Sequence, residues 1–375
     1  MSVFTAEVVE IQPMPTSSSP CQKKGHPVPI MFAVTSSWLV PLAVTLYSLC
    51  LHSNPRRLYE IQIVHDGLRA SEMKELHKAI SGHPHISIHF ATLPEKLFQS
   101  LQNRDCGRFS SLSYVRLLAA GLFPQYDRLL YLDADILLNG DVAELYDTEL
   151  QGKPIAAVRD CAVLQSICTG RLAPHLECVA GTGVTFPLLY CNTGVMVMDL
   201  RQMRQKDMEN TLFRILRSRP DSFPYGDQDI LNIAFHGSMM PLPVEWNYHF
   251  QFELHHKGMQ ALITGTEFEK VHALFNNRSW KLFHLVGDYK PWLPPDMEKI
   301  YHRLYLSLWW PAGRQTPAFR AELRSLYREF TRPIRSRMHR HQWRLLISPA
   351  KVFRKRRIKI KGLQRLLAVF DGSWQ

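Results

Sequence analysis

The seven cysteines of this 375-residue chain include no CxxC pair, their number is odd and their spacings are wide. That argues against a metal knuckle or a disulfide framework, and for reduced, mostly buried thiols in a cytosolic protein. Charge is missing from Pro27 to Leu51, just after Lys23-Lys24, a pattern that imitates a signal anchor. Thr35-Ser36-Ser37 interrupts it, and Pro27, Pro29 and Pro41 punctuate it, so a strand, a polar loop and a helix fit better than one span. Acids are missing between Phe330 and Phe370, where thirteen Lys and Arg stand. Removing those thirteen from the net charge of +12 leaves the remainder near −1. The body is electrostatically ordinary and the tail is a basic appendage. No recognised nucleic-acid module accompanies that tail, so nucleic acid is not an expected partner.

Hydrophobic residues make up 46% of the chain, enough for a core in one large domain or two modest ones. Residues 1–27 carry Pro13, Pro15, Pro20 and Ser17-Ser18-Ser19 without a period, and read as a disordered leader. A rhythm then begins. Ile30–Val34 is a strand, Thr35-Ser36-Ser37 a polar turn, and Leu39–Leu51 a helix. Tyr59–Val64 is a strand, Ser71–Ile80 a helix capped by Ser71, and Ile86–Phe90 a third strand. Strands alternating with helices predict an open α/β sheet with parallel neighbours, whose ligands bind beyond the carboxyl ends of the strands. Thr35 and Asp133 are placed to line that crevice. Further on, Leu112–Leu122 is a predicted helix on which Arg116 is the only charge, Pro154–Val158 a strand before Arg159-Asp160, and Met208–Arg217 an amphipathic helix.

The chain is organised around Tyr126–Asp141, YDRLLYLDADILLNGD. An apolar run, Leu129–Leu132, ends in Asp133-Ala134-Asp135, and Ile136-Leu137-Leu138 follows at once. An isolated DxD is a weak signal, met often in solvated turns. Carboxylates wedged between buried segments are costly unless compensated. Two such side chains on one face of an extended strand suit a hard divalent cation that holds a diphosphate. Three other stretches carry chemistry. LYCNTGVMVMDL places a polar Asn192-Thr193-Gly194 elbow before an apolar run. In YGDQDILN, Asp227 reads as a site residue, with a plain helix cap as the alternative. In HLVGDYKPW, His284 is a candidate nitrogen ligand, Gly287 permits close backbone approach, and Lys290 is a point charge suited to phosphate.

Together, LLYLDADILL, CNTGVMVMDL, YGDQDILN and HLVGDYKPW resemble the retaining glycosyltransferases of family 8, which include bacterial lipopolysaccharide galactosyl- and glucosyltransferases and glycogenin. The resemblance runs from Ile30 to Trp292. It implies a GT-A fold, an open, mixed, mostly parallel α/β sheet flanked by helices, over residues 28–295. It implies that Asp133, Asp135 and His284 bind Mn²⁺, with Mg²⁺ as the alternative, and that the cation bridges the diphosphate of a UDP-sugar. Ala33 and Thr35 would lie against the uridine, and Gly287 and Lys290 would hold the phosphates. Ala134 and Thr193 join the donor-binding set. Arg116, Asp160, Asn192, Asp227 and Gln228 would surround the sugar, with Asp227 and Gln228 as catalytic residues and Gln228 closest to the anomeric carbon. Family members often carry an acid after the first strand; Thr35-Ser36-Ser37 stands there instead, which weakens the case for uridine selectivity. Gln228 is a poor nucleophile, so a same-face substitution through an oxocarbenium-like ion pair is expected rather than double displacement.

The expected reaction is transfer of galactose or glucose to a saccharide or lipid-linked saccharide, such as lipopolysaccharide or another surface glycan. The alternatives are a glycogenin-like or protein-directed glucosyltransferase, or a catalytically silent sugar-nucleotide or glycan-binding protein. Residues 296–375 read as a helical, basic, membrane-apposed extension, with residues 332–366 facing anionic lipid. Each Lys or Arg near such a surface contributes about 1 kcal/mol, and Trp343 and Phe353 are placed to dip into the interface. The expected location is cytoplasmic, on the inner face of the membrane.

Overall fold

The computed structural model describes residues 26–93, 111–160, 189–218, 223, 225–249, 279–287, 289–293 and 304–337. The leader expected over 1–27 lies almost wholly outside them, as does most of the basic tail.

Strand β1 (Val28–Val34) is buried along almost its whole length. A 3₁₀ turn (Ser36–Trp38) passes it to α1 (Leu39–His52). The uncharged stretch that imitates an anchor is therefore a strand, a turn and a helix. Its apolar character reflects burial in the core: Leu42, Leu46 and Leu49 are at most 1% exposed, each contributing about 2 kcal/mol. Strand β2 (Tyr59–His65), helix α2 (Ala70–Ala79) and strand β3 (Ile86–Thr92) complete the alternating run. Arg69, not Ser71, is the N-cap of α2, and Glu72 accepts from its backbone N–H at 2.8 Å.

The expected helix over Leu112–Leu122 is mostly a 3₁₀ segment, Ser111–Leu118, closed by the single turn of α3 (Ala119–Leu122). Then come β4 (Arg128–Leu132), β5 (Ile136–Leu138), α4 (Val142–Tyr146), β6 (Ile155–Arg159) and β7 (Cys191–Asp199). Helices α5 (Leu200–Gln205), α6 (Met208–Ser218) and α7 (Asp227–Ala234) follow, with β8 (Met239–Pro241), a 3₁₀ turn (Val244–Trp246) and β9 (Leu282–His284). Helices α8 (Trp309–Gln315) and α9 (Arg320–Arg337) end the described chain. Among the described residues, no helix is long and apolar enough to cross a membrane.

The main sheet runs β3-β2-β1-β4-β7-β6-β8. Its neighbours are parallel except at β7, which runs against both β4 and β6. The fold is thus the expected mixed, mostly parallel sheet flanked by helices. Two features differ from expectation. Asp133 and Asp135 do not share one strand: they sit on the bend between β4, in the main sheet, and β5, which pairs with β9 in a second sheet. The Asn192-Thr193-Gly194 elbow lies inside β7. Opposite it, pairing jumps from Ala157–Met196 to Val158–Asn192, so the extra residues of β7 bulge. Bulges re-aim side chains that a regular ladder would point elsewhere.

Candidate active site

The bend carrying the two aspartates is held by its backbone. Asp133 N–H donates to Gly194 O at 2.8 Å, and Leu285 N–H to Asp135 O at 2.9 Å. From α1, the buried Thr45 hydroxyl stands 2.7 Å from Ala134 O and 2.8 Å from Ile136 O, and accepts from Ile136 N–H at 3.3 Å. A small polar residue in an apolar helix thus ties down a turn nearly ninety residues away.

The pairing of β5 with β9 sets His284 opposite Ile136. Asp133, Asp135 and His284 then offer three ligand atoms within 4.8 Å of one another. His284 Nε2 lies 3.2 Å from Asp135 and 3.6 Å from Asp133. Two carboxylates and an imidazole suit a divalent cation of mixed O/N preference. The cradle fits such a group: a Cβ on Gly194 would stand 2.6 Å from Asp133 Oδ2 and would collide with the His284 ring. Only a glycine leaves the three ligands room to converge.

Gly287 has φ +102°, a left-handed conformation that favours glycine. The chain turns back there, and Lys290 reaches Asp135 Oδ2 at 2.5 Å while donating to Leu285 O. Burial would raise the Asp135 carboxyl, but the positive charge around it, Lys290 foremost, holds it well below the usual carboxylate range. The Lys290 ammonium also lies 5.9 Å from the Trp38 ring and 6.0 Å from that of Trp292. Trp38 N–H donates to Thr35 O at 3.0 Å, so this aromatic pair links the cluster to the end of β1, where Ala33 and Thr35 are half-buried. Thr35 Oγ1 shares a hydrogen bond with Ser37 at 2.8 Å.

Arg116 is buried. Its guanidinium is buried over the Tyr131 ring, 4.3 Å from the centroid. It reaches Asp227 at 2.7 Å, Asp133 at 3.2 Å and Thr193 O at 2.7 Å. Burial opposes its charge, and Asp227, Tyr131, Asp133 and Asp135 together more than restore it. The Asp227 carboxyl is itself raised by burial, with Arg116 pulling the other way. Gly226, at φ +58°, is the N-cap of α7; Asp227 is the first helical residue and faces Arg116 rather than capping.

Asp160, Asn192 and Gln228 form the remaining corner. Asn192 Nδ2 donates to Asp160 at 3.1 Å, Gln228 Nε2 donates to the same oxygen at 3.2 Å, and Thr193 N–H donates to Gln228 Oε1 at 3.1 Å. Four residues unflagged by the sequence complete the cluster. Tyr131 donates to Asp133 at 2.9 Å, Tyr190 donates to Asp229 at 2.5 Å beneath Gln228, and Asn247 lies between His284 and Asn192. Tyr190 and Asp229 belong to motifs already conspicuous; Asn247 sits in a stretch without any local signal. The described cysteines, Cys50 and Cys191, are free and buried, their thiols pushed up to about 12 by desolvation.

A family model described as "Glycosyl transferase family 8" matches residues 29–294. The Lipopolysaccharide 1,2-glucosyltransferase of Escherichia coli K12 is 32% identical over 191 residues, 49% of this chain and 50% of that protein. Glycosyltransferase GlyF of Streptococcus pneumoniae is 24% identical over 281 residues, 75% of this chain and 60% of that one. The chain therefore spans about half to three-fifths of the length of these relatives. Among solved structures, the bifunctional glycosyltransferase WbbM superposes with a TM-score of 0.64 at 20% identity, covering 81% of this chain and 51% of that one. The galactosyltransferase LgtC, solved with donor and acceptor sugar analogs, gives 0.56 at 20% identity, covering 84% of this chain and 99% of that one. At such identities the likeness is one of fold.

Proposed function

The chain belongs to glycosyl transferase family 8, and from that premise we propose that it moves galactose or glucose from a UDP-sugar, with retention, to a saccharide acceptor. A relative named for 1,2-glucosyl transfer to lipopolysaccharide supports a surface glycan as that acceptor. One observation carries the reading: Asp133, Asp135 and His284 converge within 4.8 Å beside Lys290.

Those three side chains would hold Mn²⁺, or Mg²⁺ in its place. Bound there, the cation would supply positive charge to the leaving diphosphate. The chain's own groups do the rest. Lys290 is close enough to exchange Asp135 for a phosphate oxygen, and the turn at Gly287 brings backbone near it. Trp38 offers a ring face to the base beside Ala33 and Thr35, whose hydroxyl replaces the more usual acid. Arg116 holds Asp133 and Asp227 in place, while Ala134 and Thr193 shape the floor. Asp160, Asn192 and Gln228 face the sugar, and Gln228 steers the acceptor oxygen to the face from which the diphosphate departs. We assign the basic residues 332–366, described only as far as 337, to contact with anionic lipid on the cytoplasmic side of a membrane.

The test is a panel of UDP-sugars with Mn²⁺, reading UDP release with water or simple sugars as acceptor. UDP release from UDP-galactose or UDP-glucose, abolished by chelator, is expected. Turnover untouched by chelator would overturn the reading.

A further inference from the structure

Asn247 is fully buried, caps the 3₁₀ turn at Val244–Trp246, and touches the metal-ligand candidate His284 through its carboxamide oxygen at 2.9 Å. Its amide nitrogen lies 2.8 Å from Asn192 Oδ1. Amide oxygens and nitrogens are told apart by their partners, and here one partner is unambiguous. Gly194 N–H, which can only donate, points at Asn192 Oδ1 at 3.0 Å. That atom is therefore the oxygen, and the Asn247 atom facing it must be the NH₂. The other Asn247 atom is then a carbonyl oxygen, which can only accept. His284 Nδ1, facing it, must carry a hydrogen.

We propose that Asn247 is a positioning residue that fixes His284 in the Nδ1–H tautomer and so turns the Nε2 lone pair toward Asp133 and Asp135. This rests on reading those three side chains as a cation site. With Arg116 on Asp133 and Lys290 on Asp135, an Nε2 lone pair completes a set of three donor atoms within 4.8 Å that a divalent cation can accept. A ligand histidine whose other nitrogen is bonded has its ring orientation and basicity set in advance. The bulge in β7 supplies the direction. Its neighbouring backbone N–H groups, Thr193 and Gly194, orient two separate side-chain amides: Thr193 sets Gln228, and Gly194 sets Asn192 and through it Asn247. The two branches meet on Asp160 Oδ2, which accepts from both Asn192 and Gln228. One irregularity in one strand thereby aligns the imidazole and the amide nearest the reacting sugar.

The experiment uses the full chain without nucleotide. Mn²⁺ alone is titrated, with free Mn²⁺ read by electron paramagnetic resonance, and the His284 ring nitrogens are observed by ¹⁵N NMR in metal-free protein at a pH where the ring is neutral. Asn247→Leu, nearly isosteric but without acceptor or donor, is expected to weaken Mn²⁺ binding about 10–100-fold and to lose the Nδ1–H signature. Asn247→Asp keeps an acceptor before His284 and is expected to retain that signature. A folded Asn247→Leu protein with Mn²⁺ affinity within about twofold of the parent would overturn the proposal. Should Asn247→Leu not fold, the parent spectrum decides alone: an Nε2–H tautomer refutes the assignment and an Nδ1–H tautomer upholds it. Because no sugar nucleotide is present, either outcome leaves the transferase reading to its own test.

Discussion

The two halves of the central sheet present polar groups in different ways. From β3 to β4 the neighbours are parallel, and β1, β2 and β3 pair residue for residue over their full lengths. Site residues on that side come from beyond the strand ends: Thr35 and Trp38 after β1, Asp133 and Asp135 after β4. On the other side β7 runs against both its neighbours, β6 and β8 are parallel, and the register jumps between Ala157 and Val158. Site residues there come from within a strand, at Asn192, Thr193 and Gly194. The regular half provides a fixed frame, and the irregular half provides the angles at which groups enter it. The triad forms where the halves meet, with Gly194 of one half against Asp133 of the other.

That seam is open to attack in order of effect. Arg116 fastens it, bonding Asp133 on one side and Thr193 and Asp227 on the other. Arg116→Met removes the cation and leaves Asp227 buried and uncompensated, which is expected to cost about 3–5 kcal/mol of stability in urea unfolding. Gly194→Ala should spare the rest of the fold while forcing His284 and Asp133 apart. An overpacking cost of about 1–3 kcal/mol placed on the cation site predicts Mn²⁺ binding weaker by about 10–100-fold in a calorimetric titration. Glu209, on α6 behind the irregular half, sharpens the contrast by leaving the seam alone. Burial raises its carboxyl from 4.5 to about 6, while Gly121 N–H pulls the other way and Asp207 adds to the rise. A raised carboxyl penalises the ionised fold, so the penalty is absent below about pH 4.5 and complete above about pH 6. Glu209→Gln is expected to raise stability by about 1 kcal/mol at pH 8, discounted for partial exposure, and to change nothing at pH 4. Thermal melts at the two pH values check the sign.

The regular half was legible because its signals are local. Four apolar residues before Asp133 and three after it mark a costly carboxylate pair wherever the chain goes, and strand–helix alternation dictates a parallel sheet. The turn that brings Lys290 back to Asp135 was legible for a similar reason, since Gly287 and Lys290 stand close behind His284. The rest is long-range. Thr45 looks like any threonine in a helix until Ala134 and Ile136 are laid across it. The resemblance marks Arg116 as a donor-site residue, but nothing near it in the chain says that Asp227, more than a hundred residues on, will meet it. The 3₁₀ winding of Ser111–Leu118 was missed because its residues are good α-helix formers and tertiary packing overrode their propensity. Asn247 had no local mark at all; its meaning depends on a register jump in another strand.

The last two described helices bear on how the polypeptide can be shortened. Trp309 and Trp310 are at most 1% exposed and share one apolar cluster with Val44 of α1 and with Leu137 and Phe283, which flank the triad. Phe330 of α9 closes over Trp310, and Glu75 of α2 accepts from Phe319 N–H at 3.2 Å. A truncation placed ahead of Trp309 would strip the lid from α1 and from the β5–β9 pair, presenting a sticky aromatic face to water. A stop that keeps these contacts lies beyond Phe330, not at the end of the matched family segment.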